Sequence, residues 1–152
     1  MMKYVVVIPV VVLLISVFST KAIAQQKESK KEMAVSFDIM DEIPRFAGCE
    51  NISNEEAKNC FNEKMKEHII KYFTYPEEAV KKNIQGNVII TFMIDKEGYV
   101  KDITAKGIGE NTSLLEPEAK KIISLLPNFI PGKHNNKAVN VQYNFPLTYK
   151  LQ

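Results

Sequence analysis

Val139-Asn140-Val141-Gln142-Tyr143-Asn144-Phe145-Pro146-Leu147-Thr148-Tyr149-Lys150-Leu151 is the stretch that decides how this chain folds. Every odd position is apolar and every even position is polar, charged or proline. Side chains alternate across a pleated strand with a period of two, so the segment predicts a strand with one face on a core and the other in water. A helix would scatter the same residues around its circumference.

Pro146 adds an edge to the prediction. Proline has no N–H for a ladder and belongs on an edge strand, its nitrogen turned away from the neighbour. Backbone groups also alternate in direction along a strand. Asn140, Gln142 and Asn144 are therefore expected to aim their N–H and C=O groups outward with Pro146, while the odd residues pair inward. Such an edge is either a hazard that the proline blocks or a dock for another extended segment.

Working back from it, Pro131-Gly132-Lys133 turns the chain into the final strand. Ser113 to Leu126 predicts the last helix, with Ala119, Ile122, Ile123 and Leu126 inward, Pro117 confined to its start and Pro127 ending it. Asn87 to Ile94 is dense in valine, isoleucine and phenylalanine, the composition of a central strand. Asp95-Lys96-Glu97-Gly98 is a hairpin turn, and Tyr99 to Ala105 returns as its second strand. Tyr75-Pro76-Glu77-Glu78-Ala79 begins a short helix, with proline in the first turn and two acids near the positive end of the dipole. Ser53-Asn54-Glu55-Glu56 is a capping box, after which Ala57, Cys60, Phe61, Met65, Ile69 and Tyr72 mark one apolar face through about Phe73. Helix, helix, strand, strand, helix, strand predicts an α+β fold: a three-stranded antiparallel sheet with helices packed on one face.

The front of the chain reads differently. Lys3 gives a basic start, Tyr4 to Phe18 is apolar apart from Ser16, and Ala22-Ile23-Ala24 supplies a small-x-small cleavage pattern, with Gln25 as the new N-terminus. Tyr4 to Phe18 is 15 residues, short of the ~20 a spanning helix needs. The expectation is an export signal over residues 1–24, with an uncleaved anchor as the alternative. Residues 25–43 are expected to be a flexible leader, in which Met33 to Ile39 either adds a short strand or lies on the surface. Residues 44–73 then form a disulfide-closed turn and helix, and 74–152 the main domain.

Of 152 residues, 45% are hydrophobic and 25% charged, which fits one globular domain behind a leader. Removing residues 1–24 takes two lysines and no acid, leaving 18 basic against 18 acidic side chains. With no net charge and no basic stripe interleaved with aromatics, nucleic acid is not an expected partner. In an oxidising compartment, Cys49 and Cys60 are most simply one disulfide. Neither His68 nor His134 sits at metal-ligand spacing from a cysteine, so no metal is expected. There is no Gly-x-Ser-x-Gly, no His-Glu-x-x-His and no phosphate-binding loop, so neither catalysis nor a cofactor is expected.

Tyr75-Pro76-Glu77-Glu78-Ala79, Gly86-Asn87-Val88 leading a strand with Phe92, Asp95 and Gly98 at the hairpin, Pro131-Gly132-Lys133 and the alternating last strand together resemble the C-terminal domain of the TonB family, over about residues 72–151. Pro44-x-Phe46-x-Gly48-Cys49-Glu50, with the second cysteine ahead of Tyr75-Pro76, resembles an extension found in one branch of that family. The resemblance implies a non-enzymatic domain. It binds a short extended segment of an outer-membrane transporter by pairing it with the last strand, and so couples inner-membrane energy to uptake. It places the dock on Val139, Asn140, Val141, Gln142, Tyr143, Asn144 and Phe145, with Tyr75 and Pro76 nearby.

Full transducers of the family carry an anchor with a functional histidine and a proline-rich spacer. This chain has no histidine before His68 and no proline between Pro9 and Pro44. The reading is therefore a freestanding periplasmic binding module, whose partner is a transporter segment or another periplasmic protein. One alternative is an inner-membrane-anchored transducer, for which alone the inner-membrane motor proteins would be partners. Another is a structural or assembly protein that dimerises through the same edge.

Overall fold

The alternating segment is an inner strand of a mixed sheet in the computed structural model, which describes residues 34–36 and 40–151. These residues lie in one compact unit, Lys31–Gln152. In chain order the elements are β1 (Val35–Ser36), α1 (Asn54–Tyr72), α2 (Glu77–Lys81), β2 (Gly86–Ile94), β3 (Val100–Ile108), a 3-10 turn (Thr112–Leu115), α3 (Glu116–Ser124), β4 (Lys133–His134), β5 (Lys137–Ala138) and β6 (Val141–Tyr149). The main sheet has the order β1-β6-β2-β3. The expected three antiparallel strands and the α+β fold are present, and β1 adds a fourth strand, parallel to β6.

The period of two does what the sequence requires. Val88, Ile90, Phe92 and Ile94 of β2 are buried, opposite Leu147, Phe145, Tyr143 and Val141 of β6. Ala79 of α2 and Ala119, Ile122 and Ile123 of α3 complete this core from the helical side. Gln142, Asn144, Pro146 and Thr148 are exposed on the other face. There, cross-strand pairs hold the register: Thr91 Oγ1 donates to Asn144 Oδ1 at 2.8 Å and Thr148 Oγ1 to Asn87 Oδ1 at 2.7 Å.

The strand is shorter than its pattern. The Val139 N–H is taken by Gly132 O at 3.1 Å, Asn140 Oδ1 accepts from Lys96 N at 3.0 Å, and the Leu151 N–H reaches Gln85 Oε1 at 3.0 Å. Partners outside the ladder thus withdraw both ends from it. Before β6 the chain also folds a small hairpin, β4–β5, that the Pro131-Gly132 turn did not predict. Its turn residues Asn135 and Asn136 both have positive φ, 51° and 60°, the left-handed pair that asparagine tolerates in tight hairpins.

The helices follow their caps. Ser53 and Glu56 make the reciprocal capping bonds, and Ala57, Phe61, Met65 and His68 are buried along α1. The last helix starts later than Ser113. Pro117 cannot donate to the carbonyl four residues back, and Thr112–Leu115 instead close a 3-10 turn before α3. In the β2–β3 turn, Gly98 has φ +89°, and a Cβ there would stand 1.9 Å from Phe129 O. Only glycine permits this approach, which carries the 2.9 Å bond from Phe129 N to Gly98 O.

The described end of the expected leader, residues 40–43, packs on the domain. Met40 and Ile43 are buried, and the backbones of Glu42 and Arg45 bridge those of Lys133 and Ile130. The expected export signal and the leader up to residue 33 lie outside the described residues. Among the described residues no helix is long and apolar enough to cross a membrane.

Candidate functional site

The site is the side of β6 that faces away from β2. Pro146 stands opposite Ile89. Opposed residues in an antiparallel ladder either exchange both N–H···O bonds or neither, and a residue without N–H belongs to the second class. By alternation Gln142, Asn144 and Thr148, opposite Met93, Thr91 and Asn87, belong to it too. Their backbone groups therefore point to the outer edge, as the position of Pro146 predicts.

That edge is not open throughout. β1 pairs with its first two residues, Val35 with Val141 and Ser36 with Gln142. From Asn144 to Tyr149 no described strand lies against it. Of the residues expected to form the dock, Val141, Gln142, Tyr143, Asn144 and Phe145 are on β6. Val139 and Asn140 precede the strand and are engaged by Gly132 and Lys96.

Tyr75 lies beside the end of β6, and Pro76 next to it caps α2. The Tyr75 ring meets Tyr149, with centroids 5.5 Å apart, at the far end of β6 from Val141. Tyr149 lies four residues beyond Phe145, about 13 Å along a strand. Phe73 closes the same cluster, 5.1 Å from Tyr149 and 6.3 Å from Tyr75. The Tyr75 hydroxyl donates to Ile84 O at 2.6 Å, and burial pushes its phenol pKa up. Burial pushes the Tyr149 phenol up further, reinforced by the carboxylate of Glu118 and by Tyr75. Both phenols are neutral at physiological pH. Phe73 and Tyr149 were not singled out from the sequence, although Tyr149 stands in the alternating stretch.

α1 supports the other end. The Phe61 ring meets Tyr143 of β6 at 5.2 Å, and Phe46 packs on both Phe61, at 5.3 Å, and Phe129, at 4.5 Å. Cys49 and Cys60 are joined, with Cα atoms 6.1 Å apart. The bridge fastens the Phe46 turn to the first half of α1. Arg45 Nη1 donates to Ile52 O at 2.9 Å inside the closed loop.

The histidines do structural work. His68 Nε2 lies 2.8 Å from Ile122 O and ties α1 to α3. His134 Nδ1 lies 3.6 Å from Asp41 Oδ2, beside the leader. Among the described residues no group of histidine, cysteine and carboxylate side chains is placed to hold a metal ion.

A family model described as Gram-negative bacterial TonB protein C-terminal matches residues 71–151, more than half of the chain. Two solution structures of the Helicobacter pylori TonB C-terminal domain are similar, each at 24% identity. The longer covers 68% of this chain and 87% of its own, with a TM-score of 0.44; the shorter covers 59% and 92%, with a TM-score of 0.39. Comparison with curated proteins found no match.

Proposed function

Since the chain belongs to the TonB C-terminal family, a Gram-negative envelope family associated with TonB-dependent transport, we propose that it is an exported periplasmic module that captures an extended segment of an outer-membrane transporter by strand addition to β6. One observation carries the reading. The outward backbone groups of β6 from Asn144 onward face no other described strand, on a segment that holds no charged side chain between Val141 and Tyr149. A neutral edge can take a foreign backbone without desolvating a charge. The dock runs from Gln142 to the Phe73–Tyr75–Tyr149 cluster, where Phe73 is the exposed ring that an apolar side chain of the captured segment meets.

The test is a pull-down from an outer-membrane extract with the chain and with Gln142→Pro. The Gln142 side chain is exposed and its amide faces away from β2, so the variant folds and loses the transporter. An unfolded variant would overturn the assignment of strand sides; undiminished recovery of the transporter would overturn strand addition. N-terminal sequencing of the exported protein separates the module, which starts at Gln25, from an anchored transducer.

A further inference from the structure

We propose that the chain blocks its own dock: β1 is a built-in occupant of the β6 edge that a captured segment has to displace. The inference rests on the capture reading and adds a regulatory element to it. Val35 and Ser36 are paired with Val141 and Gln142, the positions where a segment covering the whole outer edge would begin.

Two features make β1 a competitor. Its anchor is strong. Glu42 and Lys133 exchange backbone bonds of 3.1 and 2.8 Å, and Arg45 and Ile130 exchange bonds of 3.0 and 2.8 Å. Asn54 clamps the same segment from α1, donating to Asp41 O at 3.0 Å and accepting from Ile43 N at 3.3 Å. Gly132 lets the two segments close up, since a Cβ there would stand 2.5 Å from the Met40 side chain. Ser36 is four residues from Met40, a reach of at most ~14 Å, so β1 cannot leave the neighbourhood of β6. A tether this short keeps an effective concentration on the order of millimolar.

Its grip is weak. Among the described residues β1 is two residues long and pairs on one side only, so it opens far more readily than the β2–β6 ladder, which runs the length of both strands. A strong anchor with a weak strand gives an edge that is closed at rest and yields to a better-fitting segment. A partner's apparent affinity is then lowered by the fraction of time β1 is in place.

The test uses a labelled synthetic peptide with the sequence of residues 33–39, titrated by fluorescence anisotropy into the full chain and into the Val35→Pro, Ser36→Pro double variant. Proline at both positions removes whichever of the two N–H groups faces β6 and leaves the Met40–Arg45 anchor intact. The variant is expected to bind the peptide about tenfold tighter, the figure for a strand in place about nine-tenths of the time. Without peptide, its Gln142 amide is expected to exchange with solvent faster, while β2 amides exchange as before. Equal affinity for both proteins overturns the proposal and leaves capture standing. Absence of peptide binding to both, or an unchanged Gln142 exchange rate, also overturns it, whereas the capture reading falls only with the pull-down above.

Discussion

The two outer strands of the antiparallel core, β3 and β6, are each nine residues long and are defended in opposite ways. β3 carries Lys101, Asp102 and Lys106, and an irregularity near Asp102, whose φ is +52°. Charges and a bulge are the means by which an edge strand refuses a partner. β6 carries no charge and keeps an unbroken register with β2 from Val141 to Tyr149. Among the described residues its guards are Pro146 and the two residues of β1. One edge is closed by its own chemistry, the other by something removable.

Four changes would break or sharpen this contrast. The largest effect is expected at Phe61, fully buried beneath Tyr143. Phe61→Ala should cost about 3–5 kcal/mol in denaturant unfolding, because the cavity opens between α1 and β6. Removing the bridge with Cys49→Ala and Cys60→Ala should cost about 3 kcal/mol by the loop-entropy relation, and reductant should destabilise the native chain alone.

Asp95→Asn addresses the guarded side. Asp95 Oδ1 accepts from Glu97 N at 3.0 Å and Tyr99 N at 2.9 Å, and Lys101 pairs with the other oxygen. Burial by itself would raise this carboxyl; Lys101 and the two N–H groups outweigh it and hold the pKa below the ordinary aspartate value. The folded value lies below the unfolded one, so the stabilisation is complete above about pH 4 and is lost as pH falls through the folded value. The variant should lose about 1 kcal/mol at pH 7, and acid titration of its stability should lack that component. The smallest change in stability, within about 0.5 kcal/mol, is expected for Gln142→Lys. It gives β6 the kind of charge β3 bears and should weaken transporter recovery in the pull-down without moving the unfolding midpoint.

Much of the fold was legible because the signals were local. The Ser53–Glu56 box, the alternation from Val141 to Tyr149 and the Asp95–Gly98 turn each depend on residues within a few positions. What was not legible depends on distant partners. Asn140 reads as one more outward strand residue until Lys96 claims its side chain, 44 positions away. Met40 and Ile43 sit behind a charged leader, and only the pairing of Glu42 with Lys133, 91 positions apart, explains their burial. At the candidate site, β6 and the role of Pro146 could be read directly. The placement of Tyr75 against Tyr149 could not, because it is set by how the chain packs between α1 and α2. β1 was only half visible: Met33 to Ile39 has strand composition, but nothing local names the edge it joins.

The Cys49–Cys60 bridge also has a mechanical consequence. Once the Glu42–Lys133 and Arg45–Ile130 bridges have given way, a tension applied from the N-terminal side passes from Cys49 straight to Cys60 and leaves the residues between them slack. With a sequence separation of 11, roughly 35–40 Å of contour length stays out of the load path. Oxidised, the molecule passes a pull directly into α1 and the aromatic stack under Tyr143; reduced, it would first pay out that slack.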